Sequence, residues 1–368
     1  MKKILAIALA LCLALSLVAC GGGAESAPAA SGDASAPAAA GNVAVFYYTY
    51  GDTYISTVRT ALDKVLTDAG VAFTDFDCKG EQNTQTDLVK TAIANGASAL
   101  LVNVVETGSD DAAQNIVDAA KEAEIPVIFF NREVSDAVVN SYEKCAFVGT
   151  DAAEAGHMQG KLVGDYLLAN WDTVDLNGDG EISYVMFKGQ EGNPEAEMRT
   201  QFGVEDADAV LTEAGKAALK FYDEKNTDKY LVDRNGTWSA QASNEYMTTI
   251  LSAYTEDNGN MVELIICNND GMAEGAVTAL NTAGYNTAAD GAVTIPVFGV
   301  DATDAAKALI DDGKMTGTIK QDAEAMAACL GLLAGNTVAG EEVMANTADY
   351  IVDEGCAKIR IPYGVYTA

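Results

Sequence analysis

Histidine is nearly absent: the 368 residues contain one, His157. That removes most metal-hydrolase, triad and histidine acid/base chemistry, because imidazole is the commonest group in all three. Basic residues are scarce too, with Lys+Arg 22 against Asp+Glu 54 and a formal net charge of −32. Nucleic acid and anionic membrane need basic surface, so neither is expected as a main partner. There is no GxSxG, Walker A or HExxH, and no GxGxxG after a strand, which removes the usual nucleophile, phosphate and zinc signatures. The seven cysteines include no CxxC and no metal spacing. Carboxylates are so numerous that counting alone does not exclude the paired acids of an exported glycosidase.

What is present begins with an export signal. Lys2 and Lys3 precede the apolar run Ile4–Val18, too short to span a bilayer as a mature helix. Leu17-Val18-Ala19-Cys20 closes it and resembles the bacterial lipobox, so residues 1–20 read as a lipoprotein signal with Cys20 as the lipid anchor. Residues 21–42, almost purely Gly, Ala, Ser and Pro, read as a flexible tether that buries too little apolar surface to order itself. The five cysteines beyond it lie in or beside apolar runs, where a free thiol acts as a small hydrophobe. An exported, membrane-anchored protein is expected. A signal peptide in place of a basic helix-turn-helix excludes a transcription regulator.

From Val43 onward, strand-length apolar runs alternate with helical periodicity. Val43–Tyr48, Val71–Phe76, Ala99–Val105 and Ile125–Phe130 read as strands, with helices over Ile55–Leu66 and Ala112–Ala123. After Phe147-Val148-Gly149-Thr150 the pattern restarts, with strands at Ile182–Phe187, Val262–Cys267 and Ile295–Val300. Such spacing means βαβ units, hence two successive open parallel sheets in an α/β fold. At 49% hydrophobic, 368 residues supply cores for two domains of roughly 100–200 residues each. Three of the strands deliver a polar residue at the carboxyl end: Asn131, the run Asn268-Asn269-Asp270, and Asp301. Ligands of open α/β sheets bind there, although N-capping also accounts for Asp270 and Asp301.

Three further patterns carry chemistry. Asp175, Asn177, Asp179, Gly180, Glu181 and Ser183 reproduce the first nine positions of a calcium loop, but Met186 stands where a bidentate Glu is needed. A strand comes next, so an EF-hand is excluded and a distant carboxylate must complete the shell. Asn193-Pro194-Glu195 starts a helix, with Asn as cap, Pro at N1 and a Glu195–Arg199 pair at i,i+4. The same spacing puts Asn193, Glu195 and Arg199 on one face, where an Arg fork can grip two hydroxyls. Tyr54 and Trp238 offer aromatic plates, whereas Tyr48 and Tyr50 read as core.

These stretches, with Tyr48–Tyr54, Ile125–Glu133, Val148–Asp151, Asn268–Ala273 and Ile295–Asp301, resemble the bacterial periplasmic galactose/glucose-binding proteins, solute receptors of galactose/methyl-galactoside ABC transporters. The likeness runs from about Val43 to Val365. It implies a type I periplasmic binding protein, a Venus-flytrap of two Rossmann-like lobes joined by three hinge strands, and no enzyme activity. The N-terminal lobe would be 43–150 and 321–360, the C-terminal lobe 151–320 and 361–368. Tyr54 and Trp238 would sandwich the sugar, with Asp52, Asn131, Asn193, Glu195, Arg199, Asn269, Asp301 and Gln321 around its rim. A structural Ca²⁺ would take Asp175, Asn177, Asp179, the Glu181 carbonyl, Ser183 and Glu263, the last supplying the missing carboxylate. The implied partners are a monosaccharide, D-galactose or D-glucose, and an ABC permease, with a chemoreceptor or kinase ectodomain as the alternative. Departures from the family are Asn193 for His, Glu195 for Asp, Gln321 for Asn, Tyr54 for Phe and Ser183 for an amide. The first three change reach or lose a ring, which in a close-packed polar site can redirect specificity by ~1–3 kcal/mol and leaves a related aldose as an alternative to galactose and glucose.

Overall fold

The computed structural model describes residues 41–368; the signal, Cys20 and most of the tether lie outside the described residues. Two seven-stranded sheets organise the described chain. The first is laid down by β1 (Asn42–Tyr47), α1 (Thr53–Asp68), β2 (Ala72–Asp77), α2 (Gln82–Ala94), β3 (Ala97–Val102), α3 (Asp111–Glu122), β4 (Val127–Phe130), α4 (Asp136–Asn140) and β5 (Cys145–Gly149). The chain then crosses and builds α5 (Ala152–Val174), β6 (Ser183–Lys188), α6 (Pro194–Glu213), β7 (Lys220–Phe221), β8 (Leu231–Val232), α7 (Ala240–Leu251), β9 (Leu264–Cys267), α8 (Asp270–Thr282), β10 (Val297–Asp301), α9 (Asp304–Asp311) and β11 (Gly317–Gln321). It returns for α10 (Ala323–Ala339), β12 (Ile351–Val352) and β13 (Lys358–Arg360), and crosses a third time into β14 (Tyr363–Thr367).

The sheet orders are β12-β13-β5-β4-β3-β1-β2 and β14-β11-β10-β9-β6-β7, with β8 also on β6. The expected parallel pairing holds from β1 to β11, but both sheets are mixed. β12 runs antiparallel to β13, and β14 antiparallel to β11. These returning segments are too short for sequence periodicity to orient them. Strand ends differ as well: β4 and β10 begin after Pro126 and Pro296, because proline has no N–H to give the ladder. β3 ends at Val102, three residues before the expected Val105. Gln321 closes β11, which places it in the second sheet.

Each sheet is apolar on both faces, as helices on both sides require. Phe46, Phe129, Phe130 and Phe147 are fully buried in the first lobe, and burial of each such side chain stabilises it by roughly 1.5–3 kcal/mol. In the second lobe, α5 and α6 share one apolar cluster with the sheet and α7 and α8 another. The α5–α6 contact depends on Gly156, Gly160 and Gly164: a Cβ at Gly160 would overlap the Phe202 carbonyl oxygen. That close approach fixes α6, the helix that presents Glu195 and Arg199 with Asn193 at its cap. All five described cysteines are buried free thiols, in line with their apolar neighbours.

Candidate functional site

A cavity opens where the carboxyl ends of both sheets face each other. Asp52, Tyr54, Asn131, Asn193, Glu195, Arg199, Trp238, Asn269, Asp301 and Gln321 all line it, together with Tyr48, Ile55 and Arg132. The ten residues expected from sequence are therefore brought to one place.

The first lobe supplies one wall. Asp52 caps α1 by accepting from the Ile55 N–H at 2.8 Å, and its other oxygen accepts from the Tyr48 hydroxyl at 2.7 Å. Tyr48 is buried, yet it lines the cavity, so its reading as a plain core residue is corrected. The Arg132 guanidinium lies 4.2 Å from the Tyr48 ring centre and donates to Gln190 of the other lobe. Asn103, fully buried at the end of β3, accepts from the Tyr48 N–H and donates to the Phe130 carbonyl and to Asn131 Oδ1. Sequence reasoning misses Tyr48, Arg132 and Asn103 as site residues. Arg132 stands in a motif whose signal points only to Asn131, and Asn103 has no signal beyond its place after a strand.

The second lobe supplies the other wall. Asn193 caps α6 as expected, accepting from the Ala196 N–H at 3.1 Å, with Pro194 at the first helical position. Its Nδ2 donates across the cleft to Thr107 at 3.3 Å. Glu195 and Arg199 do not pair with each other, against the i,i+4 expectation. Glu195 Oε1 instead accepts from the Glu133 N–H of the first lobe at 3.2 Å. Arg199 donates to the Asn268 carbonyl at 2.9 Å, to the Tyr363 hydroxyl at 2.9 Å and to Gln321 Oε1 at 3.2 Å. Tertiary partners outcompete the weak helical pair, worth about 0.2–0.5 kcal/mol. The capping account of Asp270 and Asp301 also fails, since Asn269 caps α8 and Thr303 caps α9. Asp270 accepts from Thr318 Oγ1 at 2.6 Å and the Thr303 N–H at 2.8 Å, which fixes the turn carrying Asp301. Burial pushes the Asp270 carboxyl up to about 6.

Three lining residues have positive φ: Asn131 (+62°), Trp238 (+56°) and Asp301 (+131°). Backbone of this kind is costly for non-glycine residues and collects at functional sites. Burial raises the Glu195 and Asp301 carboxyls, and the Arg199 guanidinium pulls both the other way. Several buried polar atoms have no partner: Glu195 Oε2, Arg132 Nε, Arg199 Nε and Gln321 Nε2. Leaving such a group unmatched costs about 1–3 kcal/mol, so four of them around one cavity call for a polar occupant.

A second polar cluster lies in the second lobe before β6. Glu263, 1% exposed, accepts from the Leu176 N–H at 2.8 Å through Oε1 and from the Ser183 N–H at 2.9 Å through Oε2. Asp175, Asn177 and Asp179 accept from the Gly180, Asp179 and Glu181 N–H groups at 2.8–3.0 Å, which curls the loop on itself. Asp175 Oδ1 is buried without a partner, and burial raises the Glu263 carboxyl. The donors are of the oxygen type a hard cation takes, but among the described residues no group of three or more His, Cys, Asp or Glu side chains is placed to hold a metal ion. The Ser183 hydroxyl is turned to the Met261 carbonyl, so only its lone pairs remain for a ligand.

A slot between two Rossmann-like lobes, lined by both, defines a two-lobe α/β binding protein rather than an enzyme. The chain belongs to the periplasmic binding protein domain family, whose model matches residues 43–342. It is 33% identical to the D-galactose/methyl-galactoside binding periplasmic protein MglB of Haemophilus influenzae over 322 residues, 87% of this chain and 88% of the relative. An ABC transporter solute binding protein from Bacillus halodurans with bound myo-inositol superposes with a TM-score of 0.67 at 22% identity, covering 89% of this chain and 94% of that one. Another from Clostridium phytofermentans, with bound β-D-glucose, gives a TM-score of 0.66 at 20% identity and the same coverages. Both superpositions support the type I periplasmic binding protein fold. Among the described residues no helix is long and apolar enough to cross a membrane.

Proposed function

We propose that this chain is the exported, lipid-anchored receptor of an ABC sugar transporter, closing on a monosaccharide of the galactose/glucose type. The observation that carries it is the unmatched set around the slot: one free carboxylate oxygen and three free N–H groups, contributed by both lobes beside Tyr54 and Trp238. A hydroxyl both donates and accepts, so a pyranose rim satisfies such a mixed set while its apolar faces rest on the rings. A ligand gripped by both lobes favours the closed arrangement, and a permease then reads that shape. The galactose-binding relative points the same way. Calcium on Asp175, Asn177, Asp179, the Glu181 carbonyl, Ser183 and Glu263 stabilises the second lobe and takes no part in the slot. Cys20 tethers the receptor beside its permease.

Calorimetric titration of the calcium-loaded mature protein with a panel of hexoses, pentoses and myo-inositol tests the reading. Galactose or glucose is expected to bind most tightly, and Trp238→Ala to weaken that sugar about tenfold, or ~1.4 kcal/mol. Binding of none of the panel would overturn it.

A further inference from the structure

The segment between β8 and α7 holds Trp238 in a backbone conformation that a tryptophan does not favour, with φ at +56°. Something must impose it. Five residues earlier stands Asp233, only 3% exposed, whose carboxylate accepts four hydrogen bonds. Oδ1 takes the Asn235 N–H at 2.9 Å, and Oδ2 takes the Thr237 hydroxyl, the Ser239 N–H and the Ser239 hydroxyl, each at 3.0 Å. Thr237 and Ser239 are the two neighbours of Trp238, so one carboxylate clamps both sides of the tryptophan. None of the four donors is a cation. The negative charge serves to strengthen the bonds that close the loop.

The clamp is itself tied to the sheet. The Asp233 N–H donates to the Lys188 carbonyl at 2.9 Å, continuing the pairing of β8 with β6. On the far side, the Trp238 carbonyl accepts from Asn269 Nδ2 at 3.3 Å. The indole lies across Gly189, where any Cβ would overlap the ring. Sheet, clamp and glycine together leave the ring one place, at the wall of the slot.

We infer that Asp233 is a positioning residue, holding the Trp238 ring in place before a ligand arrives. This rests on the proposal that the slot takes a pyranose; the conformational part does not. Presetting an aromatic wall removes the ordering cost that a mobile one would charge against binding.

The chain has two tryptophans, so a Trp171→Phe background isolates Trp238 emission. In that background, with calcium present, acrylamide quenching without sugar and calorimetry with galactose and glucose are measured for Asp233→Ala and Asp233→Asn. Asp233→Ala is expected to raise the quenching constant about twofold and to weaken the sugar about tenfold, ~1.4 kcal/mol, with far-UV circular dichroism unchanged. Asp233→Asn, which keeps one acceptor oxygen, should fall between. Should Asp233→Ala not fold, the Thr237→Val and Ser239→Ala double variant removes the side-chain donors and should show the same two changes. Unaltered quenching in the folded variant overturns the inference. A parent that binds neither sugar overturns the pyranose reading instead, while the quenching comparison still decides the role of Asp233.

Discussion

The interlobe slot and the loop before β6 are both rich in carboxyls, and they differ in what is left over. In the slot, Asp52, Glu195 and Asp301 share space with Arg132 and Arg199, and the unmatched atoms are one acceptor and three donors. In the loop, Asp175, Asp179 and Glu263 each accept from backbone N–H groups, and the unmatched atom is an acceptor, Asp175 Oδ1. Lys220 reaches the half-exposed Glu181 carboxylate from outside, at 3.0 Å, and Glu224 at 3.6 Å. A count of acids would give both the same ligand. The leftovers separate them: the slot leaves mixed donors and an acceptor unmatched, the loop one carboxylate oxygen.

The largest expected effect breaks the loop. Glu263→Ala strips the acceptor from three backbone N–H groups and removes a proposed metal ligand. Stability measured by denaturant titration should drop by about 3 kcal/mol, since each stranded N–H costs ~1–3 kcal/mol and solvent repairs part of the loss. The wild type should lose comparable stability in EDTA, as expected for a ligand held at about 100 times its Kd, and the variant should no longer respond. Sugar affinity should change little in either case. If chelation abolished sugar binding, the two regions would not be separate.

A smaller effect sharpens the slot. Glu195→Gln replaces the free Oε2 with an amide that donates, so a sugar hydroxyl that gave its proton there meets a second donor. Affinity should fall about tenfold, ~1.4 kcal/mol, in line with one charge-assisted hydrogen bond. Titration with the matching uronic acid adds a control of charge. Tighter binding of the acid than of the neutral sugar to the wild type would break the contrast between slot and loop.

The parts of this arrangement legible in sequence were those fixed locally. Alternating strands and helices indicate the α/β class, and polar residues after apolar strands mark the cavity rim at Asn131, Asn269 and Asp301. Asn193 and Pro194 announce a helix start, and one is there. What escaped depended on neighbours far along the chain. Tyr48 reads as core because it is buried, and only the opposite lobe makes its position a wall. Arg132 finds Gln190, 58 residues away, and Arg199 finds Tyr363, 164 residues away, rather than its helical neighbour Glu195. The antiparallel β12 and β14 are short edge segments whose direction is set by the chain's return, not by any pattern of their own.

Acidity gives a third comparison. Burial raises the Glu263 carboxyl above its ordinary value, and its bonds from Ser183, Leu176 and Asn177 oppose that without cancelling it. A folded-state value above the unfolded one means that the protonated carboxyl favours folding in acid, a contribution lost as pH rises through the raised value. Calcium needs the ionised form, so binding should release a proton. The calcium-induced rise in melting temperature should therefore shrink as pH is lowered from neutral through that raised range. A calcium effect that stayed constant down to the ordinary glutamate range would remove Glu263 from the metal shell.

The smallest effect concerns closure, which the slot has and the loop lacks. Gln190 of the second lobe accepts from Arg132 of the first, a direct side-chain link across the cleft like that of Asn193 with Thr107. Gln190→Ala leaves the lining residues in place but removes a contact made only when the lobes are shut. Its loss should raise the sugar dissociation rate two- to threefold, about 0.5 kcal/mol, the lower range for a single hydrogen bond, with little change in association. Stopped-flow fluorescence separates the two rates. Because the loop's hydrogen bonds do not involve Gln190, the calcium response of this variant should match the wild type. A variant that lost calcium stabilisation along with slow dissociation would show that the cleft and the loop are coupled through β6, which runs from Ser183 to Lys188 between them.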